Sequence, residues 1–193
     1  MMFAFAACTN SNARNSQVNT TAQLQTSNKT SDGTKTLVAY FSATGSTEKV
    51  AQYIADELNA DIFAITPETP YSSDDLDYND DNSRVVREHN DKSKQTIALK
   101  QNTPDNWTQY DTVFIGYPIW WGDAAWIVSS FVKANDFNGK TVIPFCTSAS
   151  SPLGSSDKDL ASAANGGNWQ DGKRFSSSAD ESEVKEWAKA VVK

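Results

Sequence analysis

Apolar positions along the chain follow two spacings. Thr36–Phe41, Thr112–Gly116 and Thr141–Cys146 are continuous apolar runs, and Asp61–Thr66 is a shorter one closed by Pro67. Between them the apolar residues recur every three or four positions. Val50, Ile54 and Leu58 mark one face of Thr47–Leu58, and Val184, Trp187 and Val191 mark one face of Asp180–Val192. The runs predict strands buried on both faces, and the wider spacing predicts amphipathic helices. Two more helices are expected, near Ala124–Ala134 with a stop at Asn138-Gly139, and over Ser155–Ala164 with a stop at Gly166-Gly167. The alternation gives an α/β chain with a parallel sheet covered by helices on both sides. A short strand near Arg174-Phe175 brings the sheet to five strands. Pro144 lacks the N–H that a central strand needs. It is tolerated if the fifth strand is short or interrupted beside it, as Gly172 and its polar flanks suggest.

Pro67 to Asn106 breaks this pattern. Asp74, Asp75, Asp77, Asp80 and Asp81 precede Arg84-Val-Val-Arg87, which predicts an acidic loop leading into a helix and then a polar connection. Such a cluster is a solvated loop or a docking face for a basic redox partner. The ligand spacing and closing Glu of an EF-hand are absent.

Residues 1–34 differ from the rest. A short apolar stretch, Met1 to Ala7, runs into Cys8, and Thr, Asn, Ser and Gln then dominate. That composition cannot bury enough apolar area to offset its ordering entropy, so 1–34 is expected to be a flexible linker and 35–193 the folded domain. Phe5-Ala6-Ala7-Cys8 resembles the lipobox of bacterial lipoproteins. The resemblance implies lipidation of Cys8 and an extracytoplasmic, membrane-anchored protein. The alternatives are a tail without function and a cytoplasmic location. The match has a departure, since no Lys or Arg precedes a stretch that is short for a signal segment.

The chain has 193 residues, 17 basic and 24 acidic, for a net charge of −7. Arg14, Lys29 and Asp32 leave the tail at +1, so the remainder carries −8. An acidic chain repels nucleic acid and anionic lipid. No apolar run reaches the length that spans a bilayer. Two Cys and one His cannot form a Cys/His zinc centre.

The richest chemistry follows the first strand. Ser42-Ala-Thr-Gly-Ser-Thr47 lies between a buried run and a helix start. A helix N-terminus offers unpaired N–H groups and a positive dipole end, and the hydroxyls add donors. Together these suit a phosphate monoester without a Lys. The triphosphatase loop G-x-x-x-x-G-K-[ST], the dinucleotide fingerprint G-x-G-x-x-G and a Cys-x5-Arg phosphatase loop are all absent here. The same turn also reads as an N-cap without a ligand.

Three segments together resemble the flavodoxin family: Phe41–Thr47, Gly116-Tyr-Pro-Ile-Trp-Trp-Gly-Asp123, and Gly139-Lys-Thr-Val-Ile-Pro-Phe-Cys-Thr-Ser148 with Ser150 to Gly154. They occur in the family's order after successive strands. The resemblance implies a three-layer α/β/α sandwich with strand order 2-1-3-4-5 and flavin mononucleotide (FMN) at the carboxyl ends of the strands. Ser42, Thr44, Gly45, Ser46 and Thr47 would hold the phosphate. Pro118, Ile119, Trp120, Trp121 and Gly122 would lie against the isoalloxazine ring, and Thr147, Ser148 and Ala149 would line its other side. In this family a Gly of the second loop offers its carbonyl to flavin N5–H after one-electron reduction, which makes Gly122 the candidate redox switch. Asp123 and the acidic surface would lower the flavin's potential. Flavodoxins commonly cover the second ring face with a Tyr after strand four, but Thr147–Gly154 holds no aromatic residue. That face is left open, or covered by residues 67–106 or by another subunit. Trp126, Trp169 and Trp187 read as core, Cys146 as a buried apolar residue, and His89 as an isolated residue on a polar helix face.

Three functions follow. The first is an FMN-binding electron-transfer protein serving a redox partner protein. The second is an FMN-dependent NAD(P)H or quinone oxidoreductase, with a quinone stacking on an open ring face. The third is a non-catalytic binding domain that kept the fold and lost the flavin.

Overall fold

The computed structural model describes residues 35–193; Cys8 and the remainder of 1–34 lie outside the described residues. In chain order the elements are β1 (Thr36–Tyr40), α1 (Ser46–Leu58), β2 (Asp61–Ala64), α2 (Arg84–Asn90), β3 (Thr112–Trp120), β4 (Asp123–Ala124), α3 (Trp126–Ala134), β5 (Thr141–Ser148), α4 (Ser156–Ala163), β6 (Asn168–Trp169), β7 (Lys173–Ser176) and α5 (Glu181–Val191).

The main sheet runs β2-β1-β3-β5, all parallel, and its last edge is shared by β6 and β7. Counted as one interrupted strand, that edge gives the expected five-stranded order. Pro144 sits where the edge breaks. The Val142 carbonyl accepts from Gln170 N–H at 2.8 Å, so Val142 points toward the edge. Two residues later the Pro144 nitrogen points the same way. It faces the gap between β6 and β7, where no strand pairs with it.

Alternation along the strands builds two cores. Val38, Tyr40, Phe114, Ile143 and Phe145 face α1 and α5, together with Val50, Ile54 and Val184. Leu37, Ala39, Val113, Ile115 and Val142 join the opposite cluster with Val85, Ile127, Phe131 and Leu160 from α2, α3 and α4. Full burial of a residue such as Ile54 or Phe114 contributes about 1.5–3 kcal/mol. Gly116 belongs to this packing. A Cβ there would run into the Phe145 ring, so the two strands pack closely only because the position has no side chain.

Two elements depart from the sequence expectation. β3 continues past Gly116 to Trp120, because β5 runs on to Ser148 and pairs with Tyr117 and Pro118. The third helix starts at Trp126 rather than near Ala124. Asp123 and Ala124 instead fold back antiparallel on Trp120 and Ile119. A local periodicity cannot register this hairpin, because its strands are too short to show an alternation.

Candidate functional site

The first loop places its groups at the top of β1. Gly45 takes φ 90°, which favours glycine, and so turns the chain directly into α1. Its carbonyl accepts the first helical bond, from Lys49 N–H at 3.0 Å. The N–H groups of Ser46, Thr47 and Glu48 therefore have no helical acceptor, and no side chain caps this end. Ser42 Oγ accepts from Gly45 N–H at 3.1 Å and holds the turn in shape. The Thr44 side chain is exposed, and Ser42 and Ser46 are half-buried. Thr47 points inward: its hydroxyl lies 2.8 Å from that of Thr147, with both residues buried. Thr47 thereby ties the first loop to the end of β5, leaving its backbone N–H among the open donors.

The second loop is the β3–β4 hairpin. Trp120 pairs with Asp123, and the turn residues Trp121 and Gly122 have φ 50° and 89°. Two positive φ values in a two-residue hairpin define a type I′ turn, in which the second position suits Gly and the first strains a bulky residue. His89 stacks on Trp121 with ring centroids 4.3 Å apart, and Trp126 packs on Trp121 at 6.0 Å. His89 is therefore not an isolated residue on a polar helix face. Trp120 meets Phe41, Tyr71 and Trp126 edge-on at 5.6, 5.5 and 4.8 Å.

Thr44 and the Pro118–Trp121 segment line one cavity of about 410 Å³, together with Leu76, Tyr78 and Val85. Its size falls within the range of small-molecule sites. The sequence offered residues 67–106 as a cover for the ring but singled out none of these three, because that segment has no periodicity. Its acidic residues shape turns instead. Asp75 Oδ2 accepts from Ser72 N–H, Asp77 Oδ1 from Asn79 N–H and Asp80 Oδ1 from Asn82 N–H, each at 2.9 Å. Ser83 then caps α2 by accepting from Val86 N–H. No cluster of potential metal ligands occurs among the described residues.

Beneath the Trp120 wall, Glu88 is buried and accepts three bonds: Tyr71 OH at 2.6 Å, Arg84 Nε at 2.7 Å and Trp126 Nε1 at 2.8 Å. The Arg84 guanidinium also lies 3.9 Å over the Tyr71 ring. Burial, reinforced by Glu88, pushes the Tyr71 phenol well above its ordinary range. A second cavity, of about 440 Å³, lies across Trp120 and includes His89, Lys92, Asp123 and Ser156 in its lining.

The third loop follows β5. Arg174 on β7 fixes it, donating from Nε to Ser148 Oγ at 3.0 Å and from Nη2 to the carbonyls of Ser148 and Ala149 at 2.9 and 3.0 Å. Ser148 Oγ also donates to the Ser151 carbonyl. The first cavity's lining includes none of Thr147, Ser148 and Ala149. The loop meets the hairpin further on, at Gly154, where an added Cβ would lie 3.5 Å from the Gly122 carbonyl oxygen. Cys146 is fully buried, and burial pushes its thiol up to about 12, so it is inert at neutral pH.

The loops at the carboxyl ends of β1 and β3 thus share an aromatic-walled cavity beside an open helix N-terminus, and the loop after β5 is tied to them through the Thr47–Thr147 pair. This is the arrangement of an α/β protein that binds its ligand at the topological switch point. The chain belongs to the flavodoxin family: the family's sequence profile matches residues 35–191. Among solved structures it is similar to a protein of Bacteroides uniformis assigned as a flavoprotein, with 42% identity over 81% of this chain and 99% of that one, and a TM-score of 0.74. A protein of Bacteroides eggerthii with the same assignment shares 38% identity over 83% of this chain and 99% of that one, also with a TM-score of 0.74. A Lactobacillus acidophilus flavoprotein, solved in complex with FMN, shares the fold at 23% identity over 81% of this chain and 99% of that one, with a TM-score of 0.57. No curated protein gives a significant match.

Proposed function

We propose that this chain binds FMN and works as an electron-transfer protein. The observation that carries the proposal is the cavity joining Thr44, at the open N-terminus of α1, to the aromatic wall of Pro118–Trp121. The residues fit the cofactor at both ends. The unpaired N–H groups of the first turn of α1, with the hydroxyls of Ser42, Thr44 and Ser46, suit a phosphate dianion. The apolar wall suits a flat ring system.

When bound, the cofactor supplies reversible reduction of its ring. The chain supplies orientation and electrostatics. Gly45 keeps the donors of α1 aimed at the phosphate. The bond between Thr47 and Thr147 keeps the first and third loops in register. Trp120, packed edge-on against Phe41, Tyr71 and Trp126, gives a supported wall that would exclude water from one side of the ring. Gly122 has the backbone freedom to turn its peptide, and Asp123 places a carboxylate beside it.

A second function, an FMN-dependent NAD(P)H or quinone oxidoreductase, is favoured by the polar cavity across Trp120, which leaves room for a small acceptor beside the ring wall. An anaerobic stepwise reduction of the FMN-loaded protein separates the two. Two resolved one-electron potentials support the carrier. A single two-electron wave, with turnover of a quinone, supports the reductase. A protein that stays colourless after incubation with FMN rules out both.

The lipobox resemblance supports an extracytoplasmic anchor at Cys8 in the same proposal. Lipidation would move the protein to the membrane fraction, and Cys8→Ser would return it to the soluble fraction. No helix among the described residues is long and apolar enough to cross a membrane.

A further inference from the structure

We propose that Tyr78 forms the second aromatic wall of the ring site, facing Trp120 and Trp121, in place of an aromatic residue on the loop after β5. The inference rests on the FMN proposal above and adds a residue to its site.

The loop after β5 cannot play this part. Thr147–Gly154 contains no aromatic side chain. Its start is also held in place: Ser148 and Ala149 accept from Arg174, and Ser148 donates to the Ser151 carbonyl. The cavity joining the phosphate loop to the ring loop takes the rest of its lining from Leu76, Tyr78 and Val85.

Tyr78 differs from its two neighbours in that wall. Val85 is buried in the core and Leu76 is half-buried, whereas Tyr78 is 73% exposed. Its hydroxyl makes no hydrogen bond among the described residues. The large exposed hydrophobic residues among them are Ile62, Tyr78, Trp121 and Val192. The two aromatic ones both line this cavity, and the two aliphatic ones do not. An aromatic ring left this exposed contributes little to the fold, because most of its apolar area stays in water. At the lip of an apolar cavity it provides a face for a planar ligand.

The rim that carries Tyr78 is held in place. Asp77 Oδ1 accepts from Asn79 N–H at 2.9 Å on one side of it. Asp80 Oδ1 accepts from Asn82 N–H at 2.9 Å on the other, and Ser83 N–H donates to the Asp80 carbonyl at 2.9 Å. Ordering Tyr78 on a ligand therefore restricts two side-chain torsions and leaves the backbone as it is, which keeps the entropic cost low. The acidic residues of this segment act as turn formers that present one aromatic side chain.

The test uses the full chain and two variants, Tyr78→Ala and Tyr78→Phe. Each is titrated with FMN, with riboflavin, and with inorganic phosphate as a competitor of FMN. Aromatic stacking quenches flavin fluorescence, so emission of the bound flavin is read alongside Kd. Tyr78→Ala is expected to weaken FMN and riboflavin by the same factor, roughly tenfold. It should also raise the emission of the bound flavin and leave phosphate competition unchanged, while Tyr78→Phe matches the parent. Equal Kd and equal quenching in Tyr78→Ala and the parent would overturn the inference and leave the FMN proposal standing. A loss of phosphate affinity together with flavin affinity would also overturn it, because Tyr78 would then be shaping the phosphate loop. A parent protein that binds neither FMN nor riboflavin would overturn both proposals.

Discussion

Trp121 occupies a backbone conformation that an L-residue adopts at a cost of about 1–2 kcal/mol. The stacks on His89 and Trp126 offset that strain. Trp121→Asn gives up the stacks but places a residue suited to positive φ in the turn. We expect stability within about 1 kcal/mol of the parent by urea unfolding, together with weaker FMN binding. A large loss of stability would mean that Trp121 serves the fold and not the ligand. Gly122, with φ 89°, is the neighbouring case. A Cβ there meets nothing within 4 Å, so Gly122→Ala probes backbone freedom alone, at a cost of about 1 kcal/mol. The gap between the two one-electron potentials of the loaded protein should change. An unchanged gap would remove Gly122 from the redox role.

The short helix α2 does more than its seven residues suggest. It brings Glu88 under the aromatic wall, His89 against Trp121 and Val85 into the first cavity. The acidic loop before it and a helix in this place were legible in the sequence. Its contacts were not, since Glu88 and His89 look like ordinary polar residues until the partners on β3 and α3 are known. Glu88→Leu would leave the donors of Tyr71, Arg84 and Trp126 without their acceptor inside the protein. A loss of about 3–5 kcal/mol in urea unfolding is expected, the usual consequence of removing one partner of a buried ion pair. Strand β7 has a comparable place: its Arg174 binds the loop after β5 by three bonds. Arg174→Met should leave the core intact while amide exchange at Ser148–Ser151 accelerates. Unchanged exchange would show that the loop is held by other means.

Buried phenols contribute a loss of stability at high pH. Burial first, and the Glu48 carboxylate second, push Tyr40 up to about 12 from its usual 10. Burial and Asp61 do the same to Tyr110. Above pH 10 the unfolded chain releases these protons while the folded protein keeps them. Stability is therefore fully present below pH 10 and declines as pH rises toward 12. Tyr40→Phe should flatten part of that decline in a pH series of urea melts. Charge acts at longer range. With −8 on residues 35–193, association with a basic redox partner should weaken as salt rises, measured as a falling on-rate.

Periodicity, run length and loop chemistry determined the strand and helix sequence, the two-sided sheet and the three loops at its carboxyl ends. These properties are local, because spacing dictates which side of an element is apolar. The same local logic places open donors at Ser46, Thr47 and Glu48, since a helix N-terminus leaves them unpaired wherever it forms. Tertiary structure alone decided that Thr47 turns inward to Thr147, that the β3–β4 hairpin replaces the first turn of a helix, and that Leu76, Tyr78 and Val85 complete the cavity. Each of these pairs residues far apart in the chain or set by strand register. The Thr47–Thr147 pair and the cavity lining exist only once the sheet has brought the loops together, and the hairpin is too short to leave an alternation in the sequence.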